Sequence, residues 1–386
     1  MTKAPFSAYV HFPFCEKKCD YCDFTSFAGR KADREPYIHA LLQEIHTTAN
    51  RTAVRVPLQT VYFGGGTPSL FSASQIHTVL SALDSSFGLS QDPEITMEVN
   101  PGTVNARSLC AYKESGVNRL SIGIQSLSDD LLRRIGRIHT AAEAKATIAG
   151  AMKAGFTNIS CDLMTGLPGQ TAEDALDSLD YLIRMGVPHL SFYALTLEEG
   201  TPMFLQYEKD KETLLPDDAE RAMYHAMVGR LRDAGYLHYE ISNAAKPGFF
   251  SRHNRTYWKA LPYYGFGCGA SGYRDDIREE NTSDLSSYLQ YMEDCPEELD
   301  RLRIDASPIS ADESRREYML LGFRLLIEGV SEDEYRGRFG TEMLEDFASQ
   351  LRVLSLQNLI EKKDHSYVLT AKGIDFANVV FREFVS

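Results

Sequence analysis

Three cysteines near the N-terminus, Cys15, Cys19 and Cys22, are spaced C-x-x-x-C-x-x-C. Thiolates are soft metal ligands. Three on one short loop can hold three corners of a cubane 4Fe–4S cluster and leave the fourth iron without a protein ligand. An open metal position can bind a small molecule, the logic that separates catalytic from structural metal sites. The alternative is a structural zinc with His11 or Asp20 as fourth ligand. Zinc sites of this kind pair C-x-x-C with a distant second pair, and the chain has no second pair. The other cysteines, Cys110, Cys161, Cys268 and Cys295, are scattered, as buried reduced thiols are.

The elements around this loop must position it. Ala8 to Phe12 reads as a buried strand, ended by Pro13, which has no N–H for a ladder. Glu35 to Thr48 reads as a helix with Leu41, Leu42 and Ile45 on one side. Val61-Tyr62-Phe63 is a second strand that runs into Gly64-Gly65-Gly66-Thr67-Pro68-Ser69, where glycines let the backbone approach a ligand. Ser72 and Gln75 form a capping box before the stripe Ile76, Val79, Leu80, Leu83. Ile95 to Val99 is a third strand, closed by Asn100-Pro101, and its helix stops at Gly116. Leu120 to Gln125 is a fourth strand, followed by a short helix capped by Ser128. A Thr140/Glu143 box opens the helix ending at Gly155. Asn158 to Met164 is a fifth strand, followed by a helix from Thr171 to Gly186. His189 to Leu195 is a sixth, and a further helix runs from Asp217 to about Ala234.

Strict strand–helix alternation predicts an α/β fold with a parallel sheet and helices outside. An open six-unit sheet and a partial (βα)6 TIM-type barrel both satisfy it. Either gathers ligands at the strand C-terminal ends. The cluster loop, Gly64–Gly66, Glu98, Gln125 and Asp162 all fall at or near such ends, so five segments converge on one rim.

Past Tyr236 the alternation stops. Ser251 to Trp258 holds the only tryptophan, and Pro262 to Gly269 is rich in glycine and aromatics. From about Ser310 a further region reads as helices at Tyr318 to Ile327 and Leu344 to Leu354. A hairpin follows, Leu359–Glu361 with Tyr367–Leu369, and then a last helix near Ala371, a winged-helix-like pattern. The expected division is 1–245, a linking segment 246–308, and 309–386. From Ser310 onward 10 basic residues face 14 acidic ones, which argues against DNA and for docking on the barrel.

The 386 residues are 43% hydrophobic, enough for a large core and a smaller one, and carry a net charge of −14. An acidic chain is poorly suited to phosphate backbones, so no nucleic-acid partner is expected. No apolar run approaches the ~18 residues of a transmembrane segment. Pro13 and the Glu16–Lys18 charges break any signal-peptide core. A reducing, cytoplasmic location is expected.

C-x-x-x-C-x-aromatic-C after a first strand, with the triple-glycine strand end at the right distance, resembles the radical S-adenosylmethionine (SAM) superfamily. That resemblance implies a 4Fe–4S cluster on Cys15, Cys19 and Cys22 whose open iron is chelated by the amino and carboxylate groups of SAM. It implies that Tyr9 and Tyr21 border the nucleoside and that Gly65, Gly66 and Thr67 bind the methionine amino end. Glu98, Gln125, Arg137 and Asp162 match the remaining polar SAM contacts of the oxygen-independent coproporphyrinogen oxidase-like branch. Their types suit such contacts, since a carboxylate accepts from ribose hydroxyls and an arginine pairs a carboxylate in bidentate fashion. The resemblance further implies one-electron cleavage of SAM to a 5′-deoxyadenosyl radical, fed by a flavodoxin- or ferredoxin-type reductant.

Within that branch two functions compete: a coproporphyrinogen III dehydrogenase, which oxidatively decarboxylates two propionates, and a haem chaperone that keeps the cluster. The dehydrogenase pattern continues to C-x-x-x-C-x-x-C-x-C, whereas this chain has Phe24 there. The dehydrogenase carries an N-terminal extension over its site, whereas eight residues precede Tyr9 here. His253-Asn254-Arg255-Thr256-Tyr257-Trp258 matches the chaperone's H-N-x-x-Y-W motif, which is linked to haem. Imidazole is a common haem-iron ligand and flat aromatics suit a porphyrin face. The alternative is that Tyr257 and Trp258 are core residues, with His253 a hydrogen-bonded neighbour. The expectation is a carrier that holds haem through His253, together with the cluster and SAM, and passes haem to a respiratory acceptor.

Overall fold

The computed structural model describes residues 6–208 and 214–385. Its centre is six parallel strands, each paired with the next: β1 (Ser7–Phe12), β2 (Leu58–Gly65), β3 (Leu89–Val99), β4 (Arg119–Gln125), β5 (Asn158–Thr165) and β6 (His189–Ala194). At the far edge β7 (Leu237–Glu240) and β8 (Asn243–Ala245) add antiparallel. At the near edge β9 (Tyr264–Phe266) joins β1 in parallel. In the order β9-β1-β2-β3-β4-β5-β6-β8-β7 the two outer strands do not pair with each other, so the barrel is partial rather than closed. β3 starts earlier than the apolar run suggests, because Leu58 of β2 already pairs with Leu89. Pro93 is tolerated where the register is irregular.

The connecting helices are α1 (Arg34–Arg51), α2 (Ala73–Phe87), α3 (Ala106–Glu114), α4 (Asp129–Arg134), α5 (Ala141–Lys153), α6 (Ala172–Arg184), α7 (Pro202–Tyr207) and α8 (Asp217–Asp233). Capping boxes form at Ser72/Gln75, Thr140/Glu143 and Thr171/Asp174. Ser128 stands at the N-cap of α4, but its side chain makes no capping bond. Its own N–H donates instead to the Ser126 hydroxyl, at 3.1 Å.

The strands are buried on both faces, yet they alternate. Val10, Phe12, Val61, Phe63, Ile95, Met97, Leu120, Ile122, Ile159, Leu190 and Phe192 point outward into one large apolar core beneath the helices. The residues between them line the lumen and are polar. Ser7, Thr60, Thr96, Arg119, Ser121, Ser160 and His189 are all buried there. The usual barrel interior is packed with branched aliphatics; here the stabilising apolar surface lies outside and the interior is left for hydrogen bonds. Ser121 donates to Asp162 at 3.2 Å, Thr60 donates to Ser7 at 2.9 Å, and Ser160 and His189 are 2.8 Å apart.

Beyond the barrel come α9 (Arg252–Trp258), an antiparallel sheet of β10 (Ser271–Arg274), β11 (Ile277–Asn281) and β12 (Arg303–Pro308), and α10 (Leu285–Asp294). The C-terminal unit follows with α11 (Ala311–Gly322), β13 (Val330–Ser331), α12 (Glu332–Phe339), α13 (Met343–Leu356), β14 (Ile360–Lys363), β15 (Ser366–Leu369), α14 (Ala371–Asp375) and α15 (Ala377–Arg382). It has an apolar core of its own. The helix expected over Tyr318 to Ile327 is displaced. A Ser310/Glu313 capping box starts α11 at Ala311. After Gly322 the chain instead pairs with the barrel edge: Ile241 N–H donates to the Arg324 carbonyl and Leu326 N–H to the Tyr239 carbonyl.

α9 joins the two units. Arg324 lies over the Trp258 ring at 4.2 Å and pairs with buried Glu240 at 2.9 Å. Lys259, just past α9, pairs with Glu328 and Glu334, and Arg255 pairs with Glu328. Among the described residues no helix is long and apolar enough to cross a membrane.

Candidate functional site

A cavity of about 140 Å³ opens at the C-terminal rim of the strands. Cys15, Cys19 and Cys22 line one side, all half-buried and none in a disulfide. The Thr67 hydroxyl donates to Cys15 Sγ at 3.5 Å and Arg137 Nη1 to Cys19 Sγ at 3.6 Å. Burial pushes the Cys22 thiol up to about 11, while a backbone hydrogen bond near Phe24 pulls the other way. Among the described residues no group of three His, Cys, Asp or Glu side chains converges on a point that would hold one metal ion. A cubane instead spreads its thiolates over separate corners. The donor set fits such a cluster: three thiols on one wall, with a hydroxyl and a guanidinium placed to stabilise sulfur charge.

Gly64 and Gly65 end β2, and Gly65 and Gly66 line the cavity where a ligand's close approach is expected; the protein's own groups crowd them as well. A Cβ on Gly64 would lie 2.8 Å from the Tyr62 ring, 3.0 Å from Tyr9 and 3.1 Å from Glu98 Oε1. Gly65 has φ +107°, and a side chain there would strike the His11 ring at 2.5 Å. The glycines are required by the protein's own groups. With them, Gly65 N–H donates to Glu98 Oε2 at 3.1 Å and the Tyr62 hydroxyl to Glu98 Oε1 at 2.9 Å.

Glu98 ends the lumen side of β3, and burial is the main cause that raises it to about 7. Asp162, on the lumen side of β5, is raised to about 6, again chiefly by burial, with Arg119 opposing. Burial likewise raises the Tyr21 hydroxyl. Gln125 takes φ +63° where the β4–β5 register slips, and its side-chain oxygen accepts from the Tyr193 hydroxyl at 3.2 Å. A non-glycine in the left-handed region at a strand end is the sort of strain that gathers at functional sites. Arg137 donates to the Gly123 carbonyl at 2.6 Å and to Asn100 Oδ1, while its Nε is buried without a partner.

The cavity thus brings together Cys15, Cys19, Cys22, Tyr21, Gly65, Gly66, Thr67, Glu98, Gln125, Arg137 and Asp162. Tyr9 lies outside it, in an adjoining cleft of about 330 Å³ that shares Phe24 with the cavity. His253 lines neither. It is fully buried one layer below, with Nδ1 2.7 Å from Thr60 Oγ1 and Nε2 2.8 Å from the Tyr257 hydroxyl. Burial is the main reason it is depressed to about 3.

Sequence reasoning missed Asn100 and Tyr193. Asn100 Nδ2 donates to Thr67 Oγ1 at 3.0 Å, and its Oδ1 receives Arg137, so it joins two site residues. Its signal was visible as the Asn-Pro that closes β3. Tyr193 was reachable by alternation, since His189, Ser191 and Tyr193 share one face of β6.

The Radical SAM superfamily model matches residues 9–182 and the HemN C-terminal domain model residues 309–376. The chain is 36% identical over 380 residues to the heme chaperone HemW of Bacillus subtilis, spanning 98% of this chain and 99% of that one. It is 38% identical to the Haemophilus influenzae heme chaperone HemW, over 99% of this chain and 98% of that one. The solved structure of Escherichia coli coproporphyrinogen III oxidase (HemN), described as a radical SAM enzyme, superposes with a TM-score of 0.85 over 99% of this chain and 91% of that one. At 22% identity, that likeness speaks for the fold. The chain belongs to the radical SAM superfamily, in the family of the heme chaperone HemW.

Proposed function

We propose that the chain is a haem carrier, holding haem beside a 4Fe–4S cluster and SAM and passing it to an acceptor such as a respiratory protein. Membership of the radical SAM superfamily brings the cluster and SAM as cofactors. Cys15, Cys19 and Cys22 would ligate the cluster. Tyr21, Gly65, Gly66, Thr67, Glu98, Gln125, Arg137 and Asp162 would surround SAM. When bound, the cluster supplies single electrons, from a flavodoxin- or ferredoxin-type donor in a reducing, cytoplasmic compartment.

The observation that carries the haem reading is the adjoining cleft. Tyr9, Phe24, Tyr257 and Tyr263 line it, and flat aromatic walls suit a porphyrin. Phe24 separates it from the cluster cavity and is 63% exposed. His253 stands directly behind Tyr257. Because Thr60 donates its proton to Ser7, its oxygen is free to accept from His253 Nδ1–H, and Nε2 then accepts from the Tyr257 hydroxyl. That is the tautomer of an iron-binding imidazole, with Nδ1–H held from behind. Ligation through Nε2 then requires Tyr257 to swing aside.

The test is a hemin titration beside a coproporphyrinogen assay on one anaerobic, cluster-loaded preparation. Stoichiometric hemin uptake without decarboxylation is expected, and His253→Ala should alter the Soret band of the bound haem. Decarboxylation at enzyme-like rates would overturn the carrier reading. An unchanged Soret band in His253→Ala would remove only the ligand assignment.

A further inference from the structure

We propose that His253 is also a positioning residue for the SAM cavity: it holds the Tyr62 ring, and Tyr62 in turn holds Glu98. The inference rests on the reading that Glu98 faces SAM.

Four contacts make the chain. The His253 and Tyr62 rings stack with centroids 5.1 Å apart and planes 28° from parallel. Tyr9 closes the other side of Tyr62, at 6.1 Å and 26°. The Tyr62 hydroxyl donates to Glu98 Oε1 at 2.9 Å, and Gly65 N–H fixes the second carboxylate oxygen at 3.1 Å. Tyr62 is thus clamped between two rings, with its hydroxyl committed to the carboxylate at the cavity wall. Removing the imidazole frees one face of that ring and the hydroxyl at its tip.

His253 is itself fixed from three directions. Thr60 of β2 and Tyr257 of α9 hold its two nitrogens. Glu94 of β3 accepts from the backbone N–H groups of His253, at 3.0 Å, and Arg252, at 3.1 Å. Glu94 and Glu98 share the lumen face of β3. The same strand therefore anchors α9 at its base and presents the carboxylate at its rim.

The test is SAM affinity, measured calorimetrically on the cluster-loaded full chain, with cluster absorbance and thermal melting followed in parallel. Glu98→Gln should weaken SAM about tenfold, the worth of one charge-assisted hydrogen bond. Tyr62→Phe and His253→Ala should each weaken it roughly fivefold to tenfold with cluster content unchanged. The double variant should be no weaker than Tyr62→Phe alone, because both act through one hydroxyl. His253→Gln, whose amide can reach both hydroxyls, should recover part of the loss. Should His253→Ala not fold, His253→Asn, too short to span Thr60 and Tyr257, takes its place. Additive losses, or unchanged affinity in the His253 variant while Glu98→Gln is weakened, would overturn the positioning role. If Glu98→Gln binds SAM as well as the parent chain, the SAM reading of the cavity fails and this inference fails with it.

Discussion

The barrel and the C-terminal unit solve the same problem in opposite ways. The barrel buries most of its apolar side chains outside the sheet, under α1, α2, α3, α5, α6 and α8, and lines its interior with Thr96, Glu98, Arg119, Ser121, Asp162 and His189. The C-terminal unit buries Tyr318, Met319, Phe323, Phe347, Leu351, Leu354, Val380 and Phe384 at its centre. An interior relieved of stabilising the fold can be given to binding. An interior filled with phenylalanine and leucine cannot, so whatever the second unit contributes lies on its surface or at α9. The barrel's polar lumen is costly wherever a group lacks a partner: Glu98, Ser121, Asp162 and His189 are bonded, whereas the Thr96 hydroxyl and Arg119 Nε are buried without one.

That contrast can be broken in four ways. The largest expected effect is on the rim. Cys19→Ala should abolish stable cluster assembly, read as iron and sulfide content falling from about four per chain towards zero, with little change in the melt of cluster-free protein. A clear melting defect would mean that the loop is structural. Next, Phe323→Ala, deep in the C-terminal core and ring-to-ring with Phe384 at 5.6 Å, should cost about 3–5 kcal/mol and split the melt into two transitions while cluster uptake persists. A single lowered transition with lost cluster would show that the units fold as one.

The third effect depends on pH. Glu98 is raised from 4.5 to about 7, so the folded chain holds its proton more tightly than the unfolded chain. The associated stability is complete below about pH 4.5 and is lost as pH rises through 7. Glu98→Gln should remove about 2 kcal/mol of that decline, seen as a flatter melting temperature between pH 5 and 8. Parallel curves for the two proteins would mean that Glu98 keeps its charge in the cavity. The smallest effect belongs to the surface near the site. Arg133 and Asp130 form an exposed pair one turn apart on α4. Arg133→Ala should move stability by less than about 0.5 kcal/mol and leave SAM affinity unchanged. A larger shift would extend the site beyond the lumen.

Local rules accounted for much of this molecule. The three-cysteine loop, the triple glycine, the capping boxes at Ser72 and Thr140 and the six alternating units were legible because each depends on neighbours a few residues away. The rim residues Glu98, Gln125 and Asp162 were legible for a related reason: in a parallel α/β sheet, the end of a strand is a place in space as well as in sequence. β9 was not legible. Three residues rich in glycine and aromatics become a strand only because β1 offers an open edge. The end of α11 was hidden too, since helix propensity after Gly322 gives way to pairing with β7.

His253 marks the boundary between the two kinds of information. The sequence by itself determined the chemistry available, namely thiolates for iron, carboxylates at or near strand ends, an arginine just past α4, and an imidazole among aromatics. It also determined the alternation that carries those groups to one rim, because strand period and helix spacing are local. Only the tertiary structure decided which of them meet. It placed Tyr9 in the second cleft, put His253 behind Tyr257 rather than at a surface, and linked Thr60, Tyr62 and Glu98 to a helix far along the chain, Thr60 and His253 being 193 positions apart. Those pairings depend on how the curled sheet brings distant side chains into one low-dielectric interior, where each polar group must find a partner, and no spacing along the chain records that.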